Sequence, residues 1–203
     1  MKKKATIVSF EGIDGCGKST QAKQFVRYLK SKGFKTLFFK EPGTTALGKK
    51  LRKILLAKKQ DILPLSELFL YLAARNELVT KKIKPCLNKK VILVFDRFID
   101  STIAYQGYGR GISLKLIENM HSVILNGIIP DITFVIDAPA SELRKVIGKD
   151  ADRLEKSIRF QEMVRRGYLK IAENEPKRVK IIKRGSINET FQSIQKLWQE
   201  FFE

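Results

Sequence analysis

An α/β fold, with a mostly parallel five-stranded sheet flanked by helices, is what this 203-residue chain predicts. Three observations carry the prediction. Short apolar, β-branched runs alternate with longer stretches of helical period. The stretches between the runs are long enough for the crossover helices that parallel strands require. The length suffices for one well-buried domain and is short for two.

The first strand is expected at about 5–10, where Ala5-Thr-Ile-Val-Ser-Phe10 is apolar and β-branched. A helix follows from Ser19 to Lys32, with Ala22, Phe25, Val26 and Leu29 at helical spacing. Further strands are expected at about 36–39, 91–95, 132–137 and 178–182. Helical periodicity is clearest from Leu65 to Ile83, from Leu114 to Leu125 and in the last segment. There Ile187, Phe191, Ile194, Trp198 and Phe201 share a face, which makes Trp198 a core residue. The most polar break, Gly148-Lys-Asp-Ala-Asp152, reads as a loop inside a single domain spanning 1–203, because no repeat, low-complexity tract or linker divides the chain.

Between the first strand and first helix lies Gly12-Ile-Asp-Gly-Cys-Gly-Lys-Ser19, which fits G-x-x-x-x-G-K-[ST] in the required strand-to-helix context. Its glycines allow a tight loop whose backbone N–H groups face phosphate oxygens, and the helix N-terminus adds partial positive charge. The segment Gly12, Ile13, Asp14, Gly15, Cys16, Gly17, Lys18, Ser19 and Thr20 is therefore the expected ATP cradle. Lys18 would reach the β- and γ-phosphates and Ser19 would ligate magnesium. The fold class sharpens to a three-layer P-loop NTPase fold.

The third strand, Val91-Ile-Leu-Val-Phe95, delivers Asp96 and Arg97 at its C-terminal end, where open α/β sheets place their sites. Asp96 there can hold the magnesium shell opposite Ser19. The planar fork of Arg97 suits two oxygens of an acceptor phosphate.

Charge is unusual: 40 Lys and Arg against 21 Asp and Glu leave a net +19. Polyanions would be attracted, yet the lysines are scattered in pairs such as Lys49-Lys50 and Lys81-Lys82 without interleaved aromatics, so no specific nucleic-acid partner is expected. The lysine-rich start runs straight into a strand, and no stretch approaches eighteen apolar residues; neither a secretory leader nor a membrane span is expected. Cys16 and Cys86 have neither metal nor disulfide spacing, which agrees with a cytoplasmic protein. From the residues alone the acceptor stays open. A DNA-associated ATPase would need clustered basic and aromatic segments, whereas a kinase for a small acceptor needs only the sites above.

Several segments together resemble the thymidylate kinase family of P-loop nucleoside monophosphate kinases. Phe10-Glu-Gly-Ile-Asp-Gly-Cys-Gly-Lys-Ser-Thr-Gln21 is similar to its phosphate loop, and Phe95-Asp-Arg-Phe-Ile-Asp-Ser-Thr-Ile-Ala-Tyr-Gln-Gly107 to its second signature. Glu41-Pro-Gly-Thr-Thr45 resembles its E-P-G-G-T segment and Leu70-Tyr-Leu-Ala-Ala-Arg75 its base-binding helix. The matches run in order from residue 6 to about 155. The resemblance implies transfer of the γ-phosphate of ATP to dTMP with Mg2+, in a homodimer. Apolar positions in the 50–85 and 100–125 regions agree with an interface.

Position by position, the resemblance implies that Asp14 meets the sugar 3′-hydroxyl beside the phosphates, and that Lys18, Asp96 and Arg97 act on the transferring and acceptor phosphates. It places Arg52 on the acceptor phosphate and Glu41 among the acceptor-binding residues. Tyr71 would stack on thymine while Arg75, one helical turn on, hydrogen-bonds its edge. Ser101, Thr102, Tyr105 and Gln106 would line the base and the 2′ side of the sugar. Three substitutions depart from the family pattern: Tyr71 stands where Phe is more frequent, Thr44 replaces a glycine, and Lys40 replaces an arginine. Some relatives carry an arginine at the position of Gly15, and those without it supply charge from a lid. Here the lid is expected at about 144–153, with Arg144, Lys145, Lys149 and Arg153 as candidates and Arg153 first as the catalytic one.

Overall fold

The computed structural model describes residues 4–57, 61–147 and 157–202. Five strands, β1 (Thr6–Glu11), β2 (Thr36–Lys40), β3 (Ile92–Asp96), β4 (Ile132–Asp137) and β5 (Val179–Lys183), form one sheet in the order β2-β3-β1-β4-β5. Every neighbouring pair is parallel. The five strands lie within a residue of the segments expected from the sequence.

Strand alternation sorts the side chains between the two faces. Val8 and Phe10 of β1 and Ile92 and Val94 of β3 face α1 (Lys18–Ser31) and α8 (Ile187–Phe202). Phe10, Phe25, Phe134 and Trp198 form the centre of that layer, with ring centroids 5.0–5.9 Å apart. Each such buried ring contributes about 1.5–3 kcal/mol relative to exposure. Ile7 of β1 and Leu93 and Phe95 of β3 face the other way, toward Leu78 of α3 (Pro64–Leu78) and Leu125 of α5 (Leu114–Leu125). That face is completed by α7 (Ile158–Asn174), whose Val164, Tyr168 and Ile171 pack on Val135 of β4 and Val179 of β5.

The same parity carries the chemistry. Asp96 continues the Ile92–Val94 face and is turned toward α1, whereas Ser9 and Glu11 continue the Ile7 face and lie beneath α4 (Ile99–Thr102) and α7. In the register Phe10 is level with Asp96, and Lys40 of β2 pairs with Asp96 from the other side. The loops after β1, β2 and β3 therefore open at one edge.

Two expectations are corrected. The Leu65–Ile83 helix ends as an α-helix at Leu78 and continues as a π-helical turn, Val79–Ile83, and a 3-10 turn, Lys84–Cys86. The chain stays coiled, so Val79 and Ile83 remain buried and the apolar period persists, but Pro85 cannot donate into a regular ladder. In α8 the Phe191–Ile194–Trp198 face is buried, while Ile187 at 59% and Phe201 at 38% exposure belong to the helix ends.

Candidate active site

The phosphate loop is shaped by glycines at positive φ, and at Gly12 a side chain would not fit. Gly12 has φ +132°, and a Cβ there would lie 2.6 Å from the Ile136 carbonyl oxygen. Gly17, at φ +98°, is the N-cap of α1 and makes no side-chain cap hydrogen bond to it, an end suited to an anion. Lys18 Nζ donates to Asp14 Oδ1 at 3.1 Å and to the Ile13 carbonyl at 3.3 Å. Ser19 Oγ donates to Asp96 Oδ2 at 2.7 Å, joining α1 to β3. Lys40 Nζ lies 3.5 Å from the same Asp96 oxygen as a single point charge. Asp96 is almost wholly buried, and its Oδ1 has no hydrogen-bond partner among the described residues. Burial raises the Cys16 thiol, so that residue is a packing element of the loop.

Arg97 binds the loop to the rest of the site. Its φ of +73° is unusual for a residue with a side chain. One terminal nitrogen donates to the Gly12 carbonyl, Ser101 Oγ and Tyr168 Oη at 3.0–3.1 Å. The other donates to Asp14 Oδ1 at 2.5 Å and Tyr105 Oη at 2.9 Å. The Tyr105 hydroxyl donates in turn to Asp14 Oδ2 at 2.7 Å. Burial works to raise the Asp14 carboxyl, but Arg97, Lys18 and the Tyr105 hydroxyl outweigh it and hold it well below the carboxylate range.

Beneath this cluster Glu11 accepts from Ser9 Oγ, the Phe98 amide, Ser101 Oγ and Tyr168 Oη at 2.6–3.0 Å. Burial and the nearby Asp100 push its carboxyl up, against the pull of Ser101 and Arg97. Asp100 is clamped by both terminal nitrogens of Arg178 at 2.8 Å and by Thr133 at 2.9 Å.

A cleft opens beside the phosphate loop. Asp14, Glu41, Arg52, Tyr71, Arg75, Arg97, Ser101, Thr102, Tyr105 and Gln106, the whole set expected on the acceptor side, line it together with Pro42 and Leu56. Arg52 donates to the Pro42 carbonyl at 3.1 Å. Arg75 is fully buried and all five of its N–H groups find protein acceptors. Nε and one terminal nitrogen hold Glu41, and that terminal nitrogen also donates to the Phe98 carbonyl. The other terminal nitrogen serves Thr102 Oγ1 at 2.7 Å and His121 Nε2 at 2.8 Å. An arginine only donates, so His121 Nε2 is the acceptor and the ring is neutral; burial and the Arg75 charge lower its pKa to about 3. A base contact from Arg75 would thus share a hydrogen already held by the protein. Gln106 Nε2 donates to the buried Glu67 at 2.8 Å, and Arg110 closes that carboxylate from the far side.

Glu11, Tyr168, Glu67, Arg110 and the His121–Arg75 contact were not assigned roles from the sequence. Glu67 carried a signal, since it stands four and eight residues before Tyr71 and Arg75 on one helix face. Tyr168 carried none, being one aromatic in a helix distant in sequence. Arg153 and Lys149 lie outside the described residues, as do the side chains of Arg144 and Lys145 on α6 (Ala140–Ile147). At the base of that region Arg165 holds both oxygens of Asp137 at 2.6 and 2.9 Å.

Comparison with known proteins agrees with this architecture. A family model described as thymidylate kinase matches residues 10–194. The chain is 43% identical over 178 residues to the thymidylate kinase of Caldanaerobacter subterraneus subsp. tengcongensis, covering 87% of this chain and 86% of that one. It is 41% identical over 209 residues to that of Chlorobium luteolum, covering 97% and 98%. The crystal structure of thymidylate kinase from Ehrlichia chaffeensis superposes with a TM-score of 0.81 at 37% identity, covering 96% of this chain and 98% of that one. With its phosphate loop, its Asp96-Arg97 strand end and its cleft on one edge of a parallel sheet, this chain belongs to the thymidylate kinase family.

Proposed function

We propose that the protein transfers the γ-phosphate of ATP to dTMP, giving dTDP and ADP. The observation that carries this reading is the continuity of the phosphate loop with the acceptor cleft through Asp14 and Arg97, which belong to both. Phosphoryl transfer needs positioning and charge neutralisation more than a strong base. The acceptor phosphate is already an anionic nucleophile, and His121, neutral and occupied by Arg75, is not required as a base. Lys18 and Arg97 both rest on Asp14, so each can exchange a carboxylate contact for a phosphate oxygen without leaving its place. Asp14 then faces the sugar 3′-hydroxyl as an ionised acceptor. The ring of Tyr105, anchored on Asp14 and Arg97, closes the 2′ side.

Magnesium fits the donor side, because Asp96 Oδ1 is a buried acceptor without a partner among the described residues and Ser19 Oγ is already beside Asp96. Ser19 and Asp96 would hold the ion or its waters, and it would supply neutralisation of the phosphate charge. We also assign a homodimer in which the groove between α3 and α5 is covered by a second copy. Phe69 and Val123, 49% and 83% exposed, border that groove with Met120 and Ile124. A cytoplasmic location suits two unpaired thiols.

A coupled ADP-release assay across nucleoside monophosphates tests the activity. dTMP should exceed dUMP modestly, since one methyl is worth about 1–3 kcal/mol, and should exceed UMP strongly. Equal kcat/KM for UMP and dTMP would overturn the thymidylate assignment. Light scattering at micromolar concentration should give twice the chain mass for the wild type and the single mass for Val123→Glu; a monomeric wild type removes the dimer and leaves the chemistry standing.

A further inference from the structure

We propose that Glu67, backed by Arg110, is a positioning residue. It fixes the Gln106 amide so that the carbonyl oxygen is the group offered to the acceptor base, and it thereby selects bases with a ring N–H over bases with a bare ring nitrogen. The inference rests on the phosphotransferase reading above and concerns how the cleft chooses its base.

Glu67 is completely buried in the first half of α3. It accepts from Gln106 Nε2 at 2.8 Å and from the Arg110 fork at 3.0 and 3.4 Å. An ionised carboxylate can only accept, so the amide nitrogen of Gln106 must face Glu67 and its carbonyl oxygen must face away. Turning the amide over would set two acceptor oxygens against each other in a buried place and forfeit a charge-assisted bond. Gln106 is nearly buried and is part of the cleft wall, so the oxygen is what remains for a ligand there.

Arg110 supplies the countercharge that lets a carboxylate persist at that depth. It is itself fixed, its guanidinium lying 4.7 Å over the Phe160 ring and its amide bonded to the Tyr105 carbonyl at 2.9 Å. The rest of the wall is equally set. Tyr71 and Arg75 follow Glu67 at one and two helical turns, and Arg75 has no unengaged N–H with which to adapt to another base. A fixed acceptor oxygen favours thymine or uracil, whose N3 carries a hydrogen, and repels cytosine, whose N3 is an acceptor.

The test compares dTMP, dUMP and dCMP as acceptors for the wild type, Glu67→Gln and Arg110→Met. A glutamine at 67 can donate as well as accept, so the Gln106 amide becomes free to turn. The ratio of kcat/KM for dTMP over dCMP should fall by about tenfold or more in Glu67→Gln, through a higher KM for dTMP and a gain on dCMP. Its dTMP to dUMP ratio should stay within about twofold, because these bases share the N3 hydrogen. Arg110→Met, which does not touch the base, should show the same change at smaller size and carries the test if Glu67→Gln does not fold. A dTMP to dCMP ratio unchanged in the folded variants, with dTMP turnover intact, overturns the inference. A wild type that does not phosphorylate dTMP removes the functional reading instead.

Discussion

The two ends of the cleft are built on opposite principles. At the base end, Arg75 spends every donor on Glu41, Phe98, Thr102 and His121, and Glu67 is closed between Gln106 and Arg110. At the phosphate end, one carboxylate, Asp14, holds two cations at once, and the neighbouring Asp96 keeps a buried oxygen with no partner among the described residues. A fully paired buried network is rigid and costly to disturb, so it suits recognition of a fixed shape. Contacts left open or exchangeable suit groups that arrive, transfer charge and leave, because preorganised groups act most where charge develops. Substitutions at the base end should therefore register first as stability, and those at the phosphate end as activity.

The largest effect is expected from Glu41→Ala, which strands the Arg75 charge in the core. Removing one partner of a buried pair costs about 3–5 kcal/mol, so the urea midpoint should fall sharply. A midpoint within error of the wild type would break the contrast. Next come Lys18→Ala and Asp96→Ala. Loss of one preorganised charge contact raises the barrier by on the order of 3 kcal/mol, about a hundredfold or more in kcat. Their unfolding midpoints should stay near that of the wild type, because Asp14 keeps Arg97 and the unpaired Asp96 oxygen is lost along with its cost. Near-normal turnover in either folded variant would remove its assigned role.

A smaller effect is set by pH. His121 takes up a proton near pH 6.5 when unfolded but only near pH 3 when folded. Between those values the unfolded state binds more protons, so stability falls as pH drops below 6.5, by about 1.4 kcal/mol per unit. Chemical denaturation at about pH 5 and 7 should show that loss, near 2 kcal/mol, in the wild type and its absence in His121→Gln, which can still accept from Arg75. An equal pH slope in both proteins would place the titration elsewhere. Smallest is Tyr105→Phe, which removes one hydroxyl shared by Asp14 and Arg97. About 1 kcal/mol, or roughly fivefold in kcat/KM for dTMP, is expected, with unchanged kinetics denying the hydroxyl a part.

Local signals fixed much of this protein in advance. Short apolar, β-branched runs marked all five strands, and the spacing of glycines, Lys18 and Ser19 located the phosphate loop, because each depends on residues adjacent in the chain. The Tyr71–Arg75 pair came from the family resemblance, and its spacing of one helical turn agrees with it. The end of α3 was not legible in the sequence, since the widened turn still buries Val79 and Ile83, four residues apart as an α-helix would place them. Nor could the chain order reveal what Glu11, Glu67, Tyr168 and His121 touch. Glu11 and Tyr168 are 157 positions apart, and Arg75 and His121 are 46 apart.

What the sequence determined by itself is the set of groups able to bind phosphate and the edge of the sheet where they gather, because period and motif are local properties. Which donors are spent, which oxygen of Asp96 is left over and which way the Gln106 amide is turned were decided by the tertiary structure alone. A hydrogen bond depends on where distant strands and helices bring its two ends, and only packing settles that.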